Sequence, residues 1–318
     1  MLYNKIQKGY IQLAIILGTL LLFILTNNII FGILIAIEIF LLVGVEVKEG
    51  AKKHGWKNEV VDTLIAFGVA LGFWLFLSFI LNTSSPISAV VSCSMLPNLQ
   101  RGDFVIVQGS PIKAIEINMT NAEFESFSNE IITTNKGEEI KGSLYSQCLG
   151  LSKKGELLIS NNILCKEFYE NPKVFSEKKG PVTFFYSTCS LKTKNGVLSS
   201  PCVNEFEFKG QNYSINTEGD TVVYQPAKED VYSMIGDIVH RTQFIINVGE
   251  DKYYITKGDN NPIFDVQVYD NGFQAGNKPA KDLRGKVLMR IPYLGYLKLF
   301  ISGFFEEPGQ CSTLLTYS

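Results

Sequence analysis

Three apolar runs near the start of the chain limit its fold more than any other feature. Residues 11–26 carry no charged side chain, residues 29–45 carry only Glu38, and residues 60–81 carry only Asp62. A bilayer core takes about 20 helical residues. The sequence therefore predicts a membrane anchor over residues 1–83 with three transmembrane helices, the first two joined by a polar turn at residues 26–28. Since no small-x-small cleavage site follows the first run, we interpret it as a retained helix rather than a signal peptide.

The basic residues around these runs predict the orientation of the anchor. They precede the first run or lie between the second and third, at Lys5, Lys8, Lys48, Lys52, Lys53 and Lys57. Because basic loops stay on the cytoplasmic side, everything after residue 81 is expected outside. This predicts a multi-pass protein of the cell membrane, or of the endoplasmic-reticulum membrane with a lumenal domain in a eukaryote. Glu38 is expected to be protonated or paired within the helix bundle.

The composition excludes two other classes of protein. The chain has 29 basic and 31 acidic side chains, a net charge of −2, so we expect no nucleic-acid partner held by bulk electrostatics. Hydrophobic residues make up 46% and charged residues 19% of the chain, which excludes a disordered protein.

The chain after the anchor has the pattern of a β-rich domain. Short β-branched and aromatic runs, bounded by turn residues, occur at residues 103–107, 221–224, 237–240 and 252–256. Nearer the end, residues 291–305 are apolar and aromatic but short, which favours a segment resting on the bilayer surface within an interfacial tail over residues 297–318. A closing strand and a fourth span remain open for this segment.

Residues 118–216 have a different, polar composition and are interpreted as an extracellular insert. They contain four of the six cysteines, at Cys148, Cys165, Cys189 and Cys202. On the oxidising side of a membrane this even number predicts two disulfides, with the pairing left open. Zinc is the alternative, but the insert has no C-x-x-C and no histidine, so we expect no metal and no other cofactor. Cys311 has no obvious partner.

Three further segments carry residues suited to nucleophilic catalysis. They are Ser92–Pro97, Gly236–Arg241, and Thr256–Pro262 followed by Asp265. A serine hydroxyl becomes a good nucleophile only when a base takes its proton and an acid orients that base. His54 is expected on the cytoplasmic side, so His240 is the candidate base.

In their order and spacing these segments resemble the type I signal peptidases of the archaeal and endoplasmic-reticulum kind, peptidase family S26. The family's S-x-S-M-x-P segment matches residues 92–97, its G-D-x-V-V-Y strand residues 219–224, its H-R pair residues 240–241, and its K-G-D-N-N-x-x-x-D segment residues 257–265. Residues 285–287 and 291–296 resemble its closing strand. The match covers residues 84–109 and 217–296. The long insert and three preceding spans depart from the family's usual pattern.

The resemblance implies an all-β signal-peptidase-like catalytic domain, formed by residues 84–117 and 217–296 and anchored by the N-terminal helices. Its implied activity is removal of signal peptides from secreted preproteins, after small residues. Ser94 is the implied nucleophile and His240 the base. Asp265 is the implied triad acid with Asp259 as a supporting carboxylate, and the two could be exchanged.

Further roles follow from the same resemblance. The Ser94 N–H and the Ser92 hydroxyl are implied oxyanion donors, and Lys257 and Arg241 have supporting roles. Implied partners are secretory preproteins, membrane lipid, and accessory subunits or the translocon. Three alternatives remain open: a Ser-Lys dyad that uses Lys257, an inactive peptidase fold whose insert binds partners, and a peptidase devoted to a few precursors.

Overall fold

The computed structural model describes residues 2–233 and 236–317, which begin with three long helices. These are α1 (Leu2–Thr26), α2 (Ile29–His54) and α3 (Trp56–Ile80). The side chain of Asn28 caps α2 by accepting a hydrogen bond from the Ile30 N–H at 3.0 Å. Gly55 joins α2 to α3 with a φ of +80°, a conformation that favours glycine. The chain therefore turns back sharply after α1 and again after α2.

The helices have the surface expected of membrane segments. By length and apolar composition, α2 and α3 could cross a bilayer, whereas the apolar part of α1, Tyr10–Thr26, is shorter. No residue of α3 is buried within the described structure, so its apolar side chains face outward on all sides. Oε1 of Glu38 in α2 accepts a hydrogen bond from Thr19 of α1 at 3.0 Å, while Oε2 is buried without a hydrogen-bond partner in the described structure.

The rest of the chain is mostly β-sheet. The first sheet has the order β1-β2-β17-β12-β13-β14, with β3 parallel to β13. Its strands are β1 (Ile87–Ala89), β2 (Phe104–Gln108), β3 (Ile115–Asn118), β12 (Thr221–Tyr224), β13 (Ile238–Val248), β14 (Asp251–Lys257) and β17 (Leu283–Ile291). The four strands expected from the sequence fall within β2, β12, β13 and β14, so the prediction of a β-rich domain is confirmed.

The insert builds most of a second sheet, of order β11-β10-β9-β8-β4-β5 with β18 beside β9. Its strands are β4 (Ile131–Thr134), β5 (Glu139–Lys141), β8 (Ser176–Lys179), β9 (Val182–Thr193), β10 (Gly196–Phe208), β11 (Gln211–Ser214) and β18 (Leu314–Thr316). Two hairpins lie beside the sheets, β6 (Leu149–Leu151) with β7 (Leu157–Ile159), and β15 (Tyr269–Asp270) with β16 (Ala275–Gly276). The short helices are α4 (Asn121–Ser128), α5 (Leu144–Cys148), α6 (Ile163–Glu170) and α7 (Gly295–Ile301).

The two sheets share one hydrophobic core. The ring centroid of Phe206 in the insert lies 4.5 Å from that of Phe244 on β13. The ring of Phe184 in the insert lies 5.0 Å from that of Phe264, in the segment that follows β14. All four rings are fully buried. The insert is thus packed against the first sheet rather than held away from it on a linker.

The C-terminal segment, expected as an interfacial tail over residues 297–318, packs on two parts of the protein. Tyr296, Leu299 and Phe300 of α7 are buried against Phe23 of α1 and Ile35 of α2, so this short helix packs on the helical anchor. Further on, β18 pairs with β9 in the sheet of the insert. These contacts join the C-terminal segment to the helices and to the β-domain, and the interfacial position of residues 297–318 stays a prediction.

All six cysteines form disulfides. Within the insert, Cys148 bonds to Cys165 and Cys189 to Cys202. The expectation of two disulfides there is confirmed, and the pairing is settled. Cys311, which has no obvious partner in the sequence, bonds to Cys93, 218 residues earlier in the chain.

Candidate active site

Ser94 lies on a tight loop that follows the edge strand β1. Its neighbours Val90 and Met95 are buried in a cluster with Val105, Val107 and Val223 of the first sheet, and these anchors hold the loop. Ser94 is 7% exposed. Its Oγ lies 2.9 Å from Nε2 of His240, which β13 carries opposite Val222 of β12. The loop and the sheet therefore bring a serine and a histidine within hydrogen-bond distance across 146 positions of sequence.

His240 contacts Asp265 through its other ring nitrogen. Nδ1 lies 2.6 Å from Oδ2 of Asp265, whose side chain is almost completely buried. The same oxygen accepts hydrogen bonds from Oγ1 of Thr256 at 2.6 Å and from the hydroxyl of Tyr224 at 3.0 Å. Burial, and then the carboxylate, raise the pKa of Tyr224 well above its usual value, so this hydroxyl stays a donor. Thr256 and Tyr224 thus hold the Asp265 carboxylate in place against the histidine.

Ser92, expected as an oxyanion donor, lies beside Ser94. Its Oγ is 3.1 Å from Oγ of Ser94. A hydroxyl at this distance is close enough to donate a hydrogen bond to an oxygen bound near Ser94.

Asp259 occupies a different position from Asp265. Its two carboxylate oxygens accept hydrogen bonds from Nε and Nη2 of Arg241, at 2.7 and 2.8 Å. Asn98 Nδ2 donates to the same carboxylate at 2.7 Å. Arg241 also donates to the Gly219 carbonyl at 2.7 Å. Asp259 therefore joins the loop after β14 to β13 through a two-pronged ion pair, and to the loop that carries Ser94 through Asn98.

Lys257 is fully buried beside this ion pair. Burial lowers its pKa to about 7, and the neighbouring Asp259 opposes that shift. Its Nζ donates to the Gly258 carbonyl at 3.2 Å and to the hydroxyl of Tyr317. Across residues 2–233 and 236–317, no hydrogen bond joins Lys257 to Ser94. The base of a Ser-Lys dyad would need such a contact.

Asn260 is a site residue that the sequence analysis missed. Its backbone N–H donates to the Ser94 carbonyl at 2.7 Å, and its side-chain nitrogen donates to the carbonyls of Cys93 and Thr313 at 3.1 and 3.0 Å. Its side-chain oxygen accepts from the Leu315 N–H at 2.7 Å. One amide thus ties the nucleophile loop to the C-terminal segment. The K-G-D-N-N-x-x-x-D match included Asn260, but the resemblance assigned it no role.

A groove of about 670 Å³ opens over Ser94 and His240. Residues 89–92 and residues 237–240 line two of its sides, and residues 145–146 and 149–153 of the insert line another. The groove is large enough for an extended peptide to reach the serine.

One group of residues has the spacing of a metal site. A sulfur atom of each of Cys93 and Cys311 and a carboxylate oxygen of Glu307 lie within 4.8 Å of one another. Because the two sulfurs are bonded to each other, they are not thiolates that could bind a metal.

Comparison with known proteins agrees with the resemblance found in the motifs. The chain is 36% identical over 97 residues to the signal peptidase complex catalytic subunit SEC11 of Chaetomium globosum, over 30% of this chain and 51% of that protein. It is 32% identical over 97 residues to SEC11 of Verticillium alfalfae, with the same coverage. It is 37% identical over 90 residues to SEC11 of Saccharomyces cerevisiae, over 28% of this chain and 50% of that protein. The chain thus spans about half the length of these curated relatives. No family model matches it.

Proposed function

We propose that this chain is a membrane-bound serine endopeptidase that removes N-terminal signal peptides from secretory preproteins. The observation that carries the proposal is the line of hydrogen bonds from Ser94 through His240 to Asp265, at 2.9 and 2.6 Å. The similarity to signal peptidase catalytic subunits supports the same reaction.

The geometry suits a histidine base with its proton on Nδ1. In that tautomer Nδ1 donates to Asp265, and Nε2 accepts from the hydroxyl of Ser94. Ser94 Oγ attacks the carbonyl carbon of the scissile bond as Nε2 takes its proton. The imidazolium then gives that proton to the leaving amine, and a water molecule hydrolyses the acyl-enzyme by the same route.

Ser92 has the position of a donor to the tetrahedral intermediate. Its hydroxyl and the Ser94 N–H supply the two hydrogen bonds that the oxyanion takes. One such donor contributes roughly 3–4 kcal/mol to transition-state stabilisation.

Two free strand edges support an extended substrate. β1 is the last strand on its side of the first sheet. On the other side of the groove, Ile238–His240 pair with β12, while β14 pairs with β13 only from Arg241 onward. A substrate strand can therefore pair between residues 89–92 and residues 237–240. Small side chains near the cut, as in Ala-x-Ala sites, let the backbone approach Ser94.

The helices support action at a membrane. Asn27, in the turn between α1 and α2, contacts Glu307 of the C-terminal segment. This turn is therefore on the same side as the β-domain, as the positive-inside rule requires. We assign α1–α3 to a membrane anchor with the β-domain outside the cytoplasm or in the reticulum lumen. Because the relatives are named as subunits of a complex, accessory subunits are proposed partners.

The contacts around the site favour this mechanism over a Ser-Lys dyad and over an inactive peptidase fold. A pKa of about 7 would suit Lys257 as a base, but its Nζ is held by Gly258 and Tyr317. An inactive peptidase fold would not need Ser94, His240 and Asp265 in hydrogen-bond contact.

The test is cleavage of a preprotein bearing an Ala-x-Ala site by full-length protein in lipid vesicles. Wild type should cut after the second alanine, and Ser94→Ala and His240→Ala should lose nearly all of that rate. Ser160→Ala, at an exposed serine of the insert, is the matched control and should cut normally. Loss of activity in Ser94→Ala alone would move the base to Lys257. No cleavage by wild type would refute the peptidase.

A further inference from the structure

The hairpin of β6 and β7 in the insert meets the catalytic groove along one edge of β6. Five consecutive residues, 149–153, line the groove. A strand that presented one face would line it with alternate residues only, because successive side chains point to opposite faces. Consecutive lining residues therefore indicate that β6 faces the groove with its backbone edge.

The pairing of the hairpin shows which backbone groups point to that edge. Ser160 N–H donates to the Cys148 carbonyl at 2.8 Å, and Ser152 N–H to the Glu156 carbonyl at 2.9 Å. Bonded pairs alternate along an antiparallel hairpin. In the register that places Leu151 opposite Leu157, Leu151 is a non-bonded position. Its N–H and C=O therefore point away from β7.

The β6 edge is held firmly beside the triad. The disulfide between Cys148 and Cys165 fixes the residue before β6. Glu177, fully buried, accepts hydrogen bonds from the Leu144 N–H at 2.5 Å and from Gln267 Nε2 at 2.9 Å. Gln267 lies two residues after Asp265. The helix that leads into β6 and the segment that carries the acid thus share one buried carboxyl group.

Resting on the peptidase function proposed above, we propose that the β6 edge of the insert is a substrate-binding edge. The free N–H and C=O of Leu151 pair with the backbone of the preprotein, in a stretch beyond the residues held between 89–92 and 237–240. Its occupant is the extended polypeptide being cut, since the same groove contains Ser94 and His240. The edge recognises backbone rather than side chains, so it adds affinity for extended chains of varied sequence.

Replacement of Leu151 by proline tests this edge. Proline removes the outward N–H and leaves the hydrogen bonds to β7 in place, as it does on edge strands. Leu157→Pro is the matched control, because Leu157 lies directly opposite and points its N–H away from β6. Leu151→Ala controls for the lost side chain. All variants are made in the full-length protein in lipid vesicles.

Two peptides with an Ala-x-Ala site distinguish binding at the β6 edge from binding between residues 89–92 and 237–240. One extends well beyond the cut on both sides, and the other ends with the residues that bind between 89–92 and 237–240. We expect Leu151→Pro to raise KM for the long peptide about fivefold, the factor that one neutral hydrogen bond supplies, with kcat and the short peptide unchanged. Leu157→Pro should match wild type, and Leu151→Ala, which keeps its N–H, should raise KM for the long peptide by less than Leu151→Pro does. Equal behaviour of the two proline variants on the long peptide would overturn the proposal.

A second measurement does not depend on folding of a proline variant. Long peptides methylated at single backbone nitrogens are scanned with the wild-type protein. The proposal requires that methylation of at least one nitrogen outside the stretch present in the short peptide weakens binding. A scan in which no such methylation weakens binding contradicts the proposal.

Peptide binding to the Ser94→Ala variant distinguishes a failure of the proposed β6 edge from a failure of the proposed peptidase function. Tighter binding of the long peptide than of the short one, lost in Ser94→Ala/Leu151→Pro, supports the β6 edge even if wild type does not cut. Cleavage of both peptides by wild type with equal binding to Ser94→Ala would leave the peptidase standing and refute the edge.

Discussion

Asp265→Asn and Asp259→Asn should impair different properties of the protein, because the two carboxylates have different partners. An asparagine at position 265 can keep its oxygen toward His240, Thr256 and Tyr224 but carries no charge to stabilise the imidazolium. An asparagine at position 259 loses the charge that Arg241 binds with two nitrogens. We therefore expect the first variant to lose rate and the second to lose stability.

The size of each effect follows from the contacts. Two unit charges about 4 Å apart interact by about 4 kcal/mol at an effective dielectric constant of about 20. That free energy corresponds to roughly a thousandfold loss in kcat for Asp265→Asn. The Arg241–Asp259 pair is mostly buried, with side chains 13% and 14% exposed. Its loss should cost roughly 2–3 kcal/mol of unfolding free energy.

The assay measures kcat, KM and Tm for both variants on a preprotein with an Ala-x-Ala site. Asp265→Asn should lower kcat with little change in KM or Tm, and Asp259→Asn should lower Tm by several degrees with a smaller loss of kcat. If Asp259→Asn abolishes turnover while Asp265→Asn retains it, Asp259 is the triad acid and our reasoning from the hydrogen bonds is wrong.

Three more predictions concern residues around the site. Replacing Cys93 and Cys311 together by serine should destabilise the fold by up to about 5 kcal/mol, the loop-closure entropy expected for cysteines 218 residues apart. It should also lower kcat. An unchanged melting curve would contradict this prediction. The pKa of Lys257 is about 7 in the folded state against 10.5 for a free lysine, so between these pH values the unfolded state binds more protons. The free energy of unfolding should therefore rise by up to about 1.4 kcal/mol per pH unit in this range. Denaturant titrations of Lys257→Met should show a smaller slope. Phe300→Ala should cost about 3–4 kcal/mol in thermal unfolding by removing a ring packed between α1 and α2, whereas the exposed Phe273→Ala should cost far less.

Local patterns carried the part of the fold that the sequence predicted. The strands β2, β12, β13 and β14 were found because β-branched runs between turn residues depend on near neighbours. Ser94, His240 and Asp265 were selected by motif, and the structure brings their side chains into one line of hydrogen bonds. The resemblance ranked Asp265 above Asp259 but left their exchange open, because only tertiary contacts separate the two: Asp265 meets His240, and Asp259 meets Arg241.

The features that were missed depend on long-range packing. The bond from Cys93 to Cys311 joins positions whose neighbours in sequence carry no common signal. Residues 291–305 were interpreted as interfacial from their apolar and aromatic composition, which did not show that Tyr296, Leu299 and Phe300 pack against α1 and α2. Similarly, the insert was treated as separate because its composition differs, although its phenylalanines pack against β13.

The disulfide next to the nucleophile also sets an order for oxidative folding during synthesis. Cys93 is made 218 residues before Cys311, whereas the pairs of the insert close over 17 and 13 residues. The Cys93 thiol must therefore stay reduced, or be released from wrong partners by thiol–disulfide exchange, while four other cysteines emerge beside it. A cell with little disulfide isomerase activity should accumulate full-length chains in which Cys93 is mispaired within the insert. In such chains the loop of Ser94 would lack its disulfide until thiol–disulfide exchange forms the bond between Cys93 and Cys311.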